Sequence, residues 1–421
     1  MSQDRIRLAI ARLRERLWVR PLLICLLSVG AVVLAEWTDG TELARVVPTF
    51  EAATVRTLLS ILSSSMLVVA TFAVGSMVAA YASASTTATP RAFPLIVADD
   101  LSQNALSTFV GAFIFSVVAL TALEHRAFEA AGRFTVFVLT AGVFATVVLT
   151  FIRWVDRIAR LGRLGPTIEA VERAAAAAID RRRRAPTLCA RAVAPAASRA
   201  GVGVAVFAST PGYVQHVDVA ALQSCAERAD ARVVVEALPG TFVAADRPLA
   251  RVVADEASQP AIDPASIIGA FTVGRDRAFD DDPRFGLVVL AEIAGRALSP
   301  AVNDPGTAIQ VIGAQVRLLT RWQAAEDDHD TIEPVVYDRV EVPSVSVDDL
   351  VDDAFTVVAR DGAGSVEVAV RLQKALSALA AGGGPLRDAA ERHRRLALER
   401  AARAMDLPAD LEAVQAAARR G

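Results

Sequence analysis

The chain has 421 residues, enough for two or three domains; 53% of them are hydrophobic and 22% charged, with a mean hydropathy of +0.40, so apolar and polar residues must be segregated along it. A formal net charge of -3 excludes a nucleic-acid partner on bulk electrostatics. Cys25, Cys189 and Cys225 lack CxxC spacing, and His125, His216, His329 and His393 are scattered, which excludes a disulfide framework, a metal centre and a Ser-His-Asp arrangement.

Residues 1–17, MSQDRIRLAIARLRERL, set Ile6, Leu8, Ile10, Leu13 and Leu17 among arginines. This is the pattern of an amphipathic helix at an anionic bilayer surface, and equally that of a topology signal. Four apolar runs follow, Trp18–Trp37, Leu58–Tyr81, Ala105–Leu123 and Phe134–Ile152. The last three each have about the 20 residues that cross a ~30 Å hydrocarbon layer. The first has an uncharged core of roughly 15 residues, the length of a signal peptide's apolar region. It lacks a small-x-small cleavage site, however, and three further runs come after it. Together they predict a transmembrane domain of four helices over residues 18–152. Arg5, Arg7, Arg12, Arg14, Arg16 and Arg20 precede it, and Arg153, Arg157, Arg160, Arg163 and Arg181–Arg184 follow it. By the positive-inside rule the protein is a multi-pass cell-membrane protein with both termini cytoplasmic and the lipid bilayer as its partner.

Between the second and third runs stands ASASTTATPRAFPLIVADDLSQNALSTFVGAFIFS. Acidic and amide groups at a membrane boundary are costly unless solvated or paired. Asp99, Asp100, Gln103 and Asn104 therefore read as the polar mouth of a permeation path, with Phe109, Gly111 and Phe113 lining it below. The alternative is an interfacial cap, with Ser102 or Asn104 capping a helix and Arg91 pairing with Asp99. Ser60, Ser63, Ser64, Ser65, Gly75 and Ser76 in the second run suit close helix packing or a wet path.

Residues 153–200 read as a helical linker, broken near Gly162–Pro166, and rich in Ala, Pro and Arg from 185 on. Residues 201–257 change character. GVGVAVFAS, YVQHVD, ARVVVEAL and TFVAADRPLARVV are strand-like, TPG and Pro239-Gly240 are turns, and Ala220–Ala229 is a short helix. PGTFVAADRPLARV resembles the hammerhead piece of biotinyl and lipoyl domains, but it has no lysine to carry a prosthetic group. No cofactor is expected. Residues 258–421 are mainly helical, with helices at about 284–298, 305–322, 348–360, 366–381 and 385–405, and a strand at 335–342. The predicted fold is thus an α-helical membrane domain plus an α+β cytosolic domain, a small β module followed by a helical tail.

The stretch RALSPAVNDPGTAIQVI is a helical corner. Ser299-Pro300 ends one helix, Asn303 or Asp304 caps the next, and Pro305 takes its first position. Arg277, Asp282, Arg296, Ser299, Asn303 and Asp304 make the region dense in polar groups. They serve either as a capping and salt-bridge network or as a ligand loop. Carboxylates and an amide are the groups a hard cation uses, but the spacing matches no metal loop, so no metal is assigned.

FGLVVLAEIAGRALSPAVNDPGTA resembles the FG...L..IA.RALSP..NDP.TA signature of a bacterial predicted-membrane-protein family, domain of unknown function 2254. TPRAFPLIVADDLSQNALSTFVGAFIFS and STPGYVQHVDVAALQSCAERADARVVVEALPGTFVAADRPL resemble two further segments of that family. The resemblance runs from the first span to about residue 380. Ala278 and Asp281 depart from it, standing where Thr and Gln are usual. It implies a four-span membrane protein with a cytosolic domain and no known reaction. The residues offer no nucleophile-base pair or phosphate loop, so no enzyme is expected. The expected function is a homo-oligomeric inner-membrane ion channel or passive transporter for an ion or small solute, with a cytosolic vestibule or sensor. The alternative is a membrane-anchored signalling or scaffold protein.

Overall fold

The computed structural model describes residues 19–37, 48, 51–87, 89–97, 100–125, 128–158, 164–193, 203–254, 263–323 and 332–420. The amphipathic reading of residues 1–17 and the position of Asp99 lie outside them. The chain divides into two compact units, Met1–Pro166 and Thr167–Gly421.

The first unit contains α1 (Val19–Trp37), α2 (Ala52–Thr87), a 3-10 turn (Pro90–Ala92), α3 (Phe93–Val97), α4 (Asp100–Glu124) and α5 (Ala130–Ile158). Three stretches are long and apolar enough to cross a membrane, Ala52–Ala82, Ser102–Glu124 and Ala131–Asp156, while Leu22–Trp37 is apolar but shorter. At 1.5 Å per residue that last stretch reaches about 24 Å, short of the ~30 Å layer. The helices are apolar inside and outside alike. Phe109, Phe115, Ala105 and Trp154 are buried, whereas Leu26 and Leu27 of α1, Val68 and Phe72 of α2, and Phe144 and Ile152 of α5 are exposed. Apolarity all round is what a helix bundle in lipid requires. The inner helix is α4, which packs on α1, α2 and α5. Its Phe115 and Ala119 meet Val32, Val55 and Leu59 in one core cluster, and its Ala105, Phe109 and Ala112 meet Leu62, Met66, Ala73 and Trp154 in a second.

The second unit takes in α6 (Leu164–Arg184) from Thr167 on, an unbroken helix with Pro166 in its first turn. A proline there costs no hydrogen bond, since the first N–H groups of a helix have no partner within it. The predicted break therefore does not extend to Pro166. Among the described residues eight strands follow with four intervening helices: β1 (Ala190–Ala192), β2 (Val204–Val206), β3 (Gly212–Val217), α7 (Val219–Arg228), β4 (Ala231–Val235), β5 (Phe242–Val243), β6 (Ala250–Ala254), α8 (Pro264–Ile268), β7 (Phe271–Gly274), and, after α9 (Phe285–Ala297) and α10 (Pro305–Gln323), β8 (Tyr337–Val342). The chain closes with α11 (Val347–Asp361), α12 (Val366–Ala381), α13 (Gly384–Ala404) and α14 (Pro408–Arg420).

One sheet has the order β1-β8-β4-β6-β2 and the other β5-β3-β7. In the first, β1, β8 and β4 run parallel and β6 antiparallel to β4. The sheet therefore takes β1 from the predicted linker and β8 from the predicted helical tail, and β7 pairs with β3 beyond residue 257. Burial explains the recruitment. Val340 and Val342 of β8 and Ala190 of β1 share one core with Val233, Val235, Val252 and with Leu222 and Ala226 of α7. In the helical part α9 packs on α10 and α11, and α12 on α10, α13 and α14.

Candidate functional site

In the first unit the segment before α4 begins at Thr89, whose hydroxyl accepts from the Arg91 amide and so starts the 3-10 turn. The ring of Phe93 meets that of Tyr81 edge-on at 5.9 Å. Asp100 is the first residue of α4. Gln103 is buried and Asn104 exposed, so two successive amides look to different sides of one helix. Phe109 is fully buried, its ring 6.0 Å from that of Trp154 and 6.4 Å from that of Phe151. Gly111 lies where α4 meets α1: a Cβ there would collide with the side chain of Ile24, and Ser28 Oγ donates to the Gly111 carbonyl at 3.2 Å. Phe113 is partly buried beside the Phe109 cluster. The segment is thus brought together as the inner packing helix of one bundle, with Asn104 on its outer side.

Sequence reasoning missed the aromatic group around Trp154. This residue is buried against Phe72, Phe109 and Phe151, and its indole N–H has no hydrogen-bond partner among the described residues. It stands among Arg153 and Asp156, which made it read as flanking sequence. The hydroxyls of α2 are placed differently from those of α4. Thr57, Ser60, Ser64 and Thr71 are exposed, at helical spacings of three, four and seven, with exposed Gly75 continuing the line. Each of Thr57, Ser64 and Thr71 donates back to a carbonyl of its own helix, which satisfies the hydroxyl hydrogen and leaves the oxygen lone pairs outward.

In the second unit the corner is built as its residue types require. Ser299 Oγ donates to the Arg296 carbonyl at 2.7 Å, and the amides of Val302 and Asn303 return to the Ser299 carbonyl. Asn303 adopts a left-handed conformation (φ 48°), which asparagine tolerates better than most residues. Asp304 then accepts from the Thr307 amide at 3.1 Å and the Thr307 hydroxyl at 2.6 Å, and Pro305 begins α10. Those two bonds hold the Asp304 carboxyl below its usual value. Pro300, Ala301, Val302 and Asn303 form an exposed tip, and the Arg296 side chain is exposed beside it.

Arg277 and Asp282 lie at the other end of α9, roughly 20 Å away by helix rise. Asp282 is 2% exposed, receives Arg277 Nε at 2.7 Å and the Arg284 amide at 3.0 Å, and packs against Gly240. Its neighbour Asp281 bonds His216 Nδ1 at 2.6 Å. Burial works to raise the Asp281 carboxyl, but the His216 hydrogen bond and the charges of His216, Arg181 and Arg182 outweigh it and hold the group low. Arg181 and Arg182 donate to the carbonyls of Asp280 and Asp281, and Arg284 Nε meets Asp353 at 2.6 Å. This acidic hairpin therefore ties α6, β3, the Pro239-Gly240 turn, α9 and α11 together, while the corner only joins α9 to α10. Among the described residues no three His, Cys, Asp or Glu side chains are grouped to hold a metal ion.

Residues 14–378 match a protein family described as a predicted membrane protein (DUF2254). Over 40 residues, 10% of the chain, it is 58% identical to an uncharacterised protein of Mycobacterium tuberculosis and to one of Mycobacterium bovis, a stretch that spans 8% of each relative's length. No solved structure matches the chain.

Proposed function

Because the chain belongs to the DUF2254 family of predicted membrane proteins, we propose that it spans the inner membrane four times, with both termini cytoplasmic, and assembles from several copies into a passive conduit for ions or small solutes. The observation that carries this reading is the outward line of Thr57, Ser60, Ser64, Thr71 and Gly75 on α2. Four spans are too few to enclose a pore alone, so the path runs between copies. Hydroxyl oxygens facing a symmetry axis replace part of an ion's hydration, and small side chains leave room for it. In this arrangement α2 faces the path and α4, with Phe109 and Gly111, holds each subunit together. No catalytic step belongs to the reading.

Planar-bilayer recording of purified protein tests it, together with thiol accessibility after Cys25, Cys189 and Cys225 are replaced. Current is expected, and cysteines at Ser60, Ser64 and Thr71 are expected to react with hydrophilic reagents, unlike one at Phe109. Absence of current together with an unreactive α2 rejects the conduit. A second reading then stands, that of a membrane-anchored scaffold. Its support is the filled interior of the bundle, with Phe109, Phe115 and Trp154 all fully buried.

A further inference from the structure

The five-stranded sheet carries Val233, Val235, Val340 and Val342 on one face and a group of arginines on the other. Register partners in a parallel pair share a face, and successive residues alternate faces. Val233 pairs with Val340 and Val234 with Glu341, so Arg232 and Arg339, each one residue earlier, are side-by-side neighbours on the face opposite Val233 and Val340. Arg191 of β1 pairs with Glu341, which places it on that same face. The valine face is closed by α7 through Leu222 and Ala226. On the arginine face three guanidinium groups stand on three adjacent strands: Arg232 and Arg339 side by side, about 4.8 Å apart from strand to strand, and Arg191 level with Glu341, two residues along β8 from Arg339. They line a hollow of about 260 Å³ with Asp230, Val253 and Asp338.

Like charges on neighbouring strands repel, and the carboxylates at hand do not match them. Arg232 Nη1 is 3.3 Å from Glu341 Oε1, and Arg339 Nη1 is 2.7 Å from Asp230 Oδ1. Asp338 accepts from the Gln223 amide of α7 at 2.8 Å. Arg191 is exposed and has no carboxylate partner among the described residues. The Asp230 side chain is 89% exposed, so its pair with Arg339 is a weak, displaceable one.

We propose that this row binds a compact oligophosphate, carried either by a soluble ligand or by a phospholipid headgroup. A guanidinium fork matches phosphate oxygens two at a time. The row from β1 to β4 extends roughly 10 Å, more than one carboxylate or one phosphate covers and suited to two or three linked phosphates. The ligand displaces Asp230 from Arg339 and supplies a counter-charge to exposed Arg191. This site is independent of the conduit reading.

The test uses the full-length protein in neutral detergent. It is titrated calorimetrically with inorganic tripolyphosphate, and in a second arm with micelles containing diphosphatidylglycerol. Arg191→Gln is expected to weaken binding at least tenfold, and Arg191→Gln with Arg232→Gln to abolish it. Asp230→Asn is expected to tighten binding severalfold, an effect that a merely structural role of the row does not produce. Arg360→Gln, at an exposed pair with Asp361 on α11, leaves binding unchanged. Binding of tripolyphosphate identifies a soluble ligand class, and binding of diphosphatidylglycerol alone identifies a lipid. Failure of both probes to bind, or binding undiminished in Arg191→Gln, overturns the proposal.

Discussion

The backbone of Gly240 lies directly against the buried carboxylate of Asp282. Gly240 has φ +92°, and a Cβ there would run into that carboxylate. The carboxylate cannot give way, because Arg277 and the Arg284 amide hold it. Gly240→Ala is therefore expected to cost roughly 1–3 kcal/mol through backbone strain and collision, read as a lower Tm in detergent. Gly142→Ala, where a Cβ meets nothing within 4 Å, should leave Tm unchanged or slightly raised. Equal behaviour of the two variants would show that the Gly240 contact is not a constraint.

Asp304 caps α10, so Asp304→Ala should cost about 0.5–2 kcal/mol. The cap also has a pH signature. A carboxyl held low in the folded state contributes stability that is present above the unfolded value, near ~3.9, and lost as pH falls through the folded value. Denaturation midpoints of the wild type and Asp304→Ala should thus be separated at pH 7 and converge in acid. If activity vanishes while the pH 7 midpoints coincide, Asp304 serves a ligand rather than a helix end.

Cys189 is predicted to be a sluggish thiol. Burial, then the hydrogen bond to Glu333 at 3.1 Å and the charge of that carboxylate, push its pKa up to about 11. With Cys25 and Cys225 replaced, alkylation at pH 8 should be slow, and Glu333→Gln should speed it. Rates that do not differ between the two proteins would contradict the assignment of Glu333 as a cause.

At Gly111 the α4 backbone approaches α1 through Ile24 and Ser28. Gly111→Ala overpacks that crossing and is expected to cost roughly 1–3 kcal/mol. Ile24→Ala in the same chain makes room and should return part of the loss, a coupling readable in a double-mutant cycle. Simple additivity of the two losses would place the crossing elsewhere.

The helical tail was legible because its signals are local. Helix limits predicted at 305–322, from Pro305, and at 366–381 meet Pro305–Gln323 and Val366–Ala381 in the structure. The Asp304 cap was readable for the same reason. Strand partnership was not. Ala190–Ala192 is too short to show a period, and nothing near Tyr337–Val342 indicates that it will lie between β1 and β4. The arginine row escaped notice on the same ground, since Arg191, Arg232 and Arg339 become neighbours only through register. In the membrane runs apolarity identified the helices but could not say which one lies inside. An inner and an outer phenylalanine look alike in sequence, and only packing separates Phe109 from Phe144.

The parallel placement of β8 between β1 and β4 also sets an order of events during synthesis. Among the described residues β1 pairs with β8 alone, and about 150 residues separate Ala192 from Val342. At ~5–20 residues per second of chain elongation, β1 leaves the ribosome roughly 8–30 s before the strand that receives it. During that interval the edge of β4 is open as well, because the partner it awaits is the same. A nascent chain stopped short of Tyr337 should therefore expose two unpaired strand edges to proteases and chaperones, and one stopped just past Val342 should not.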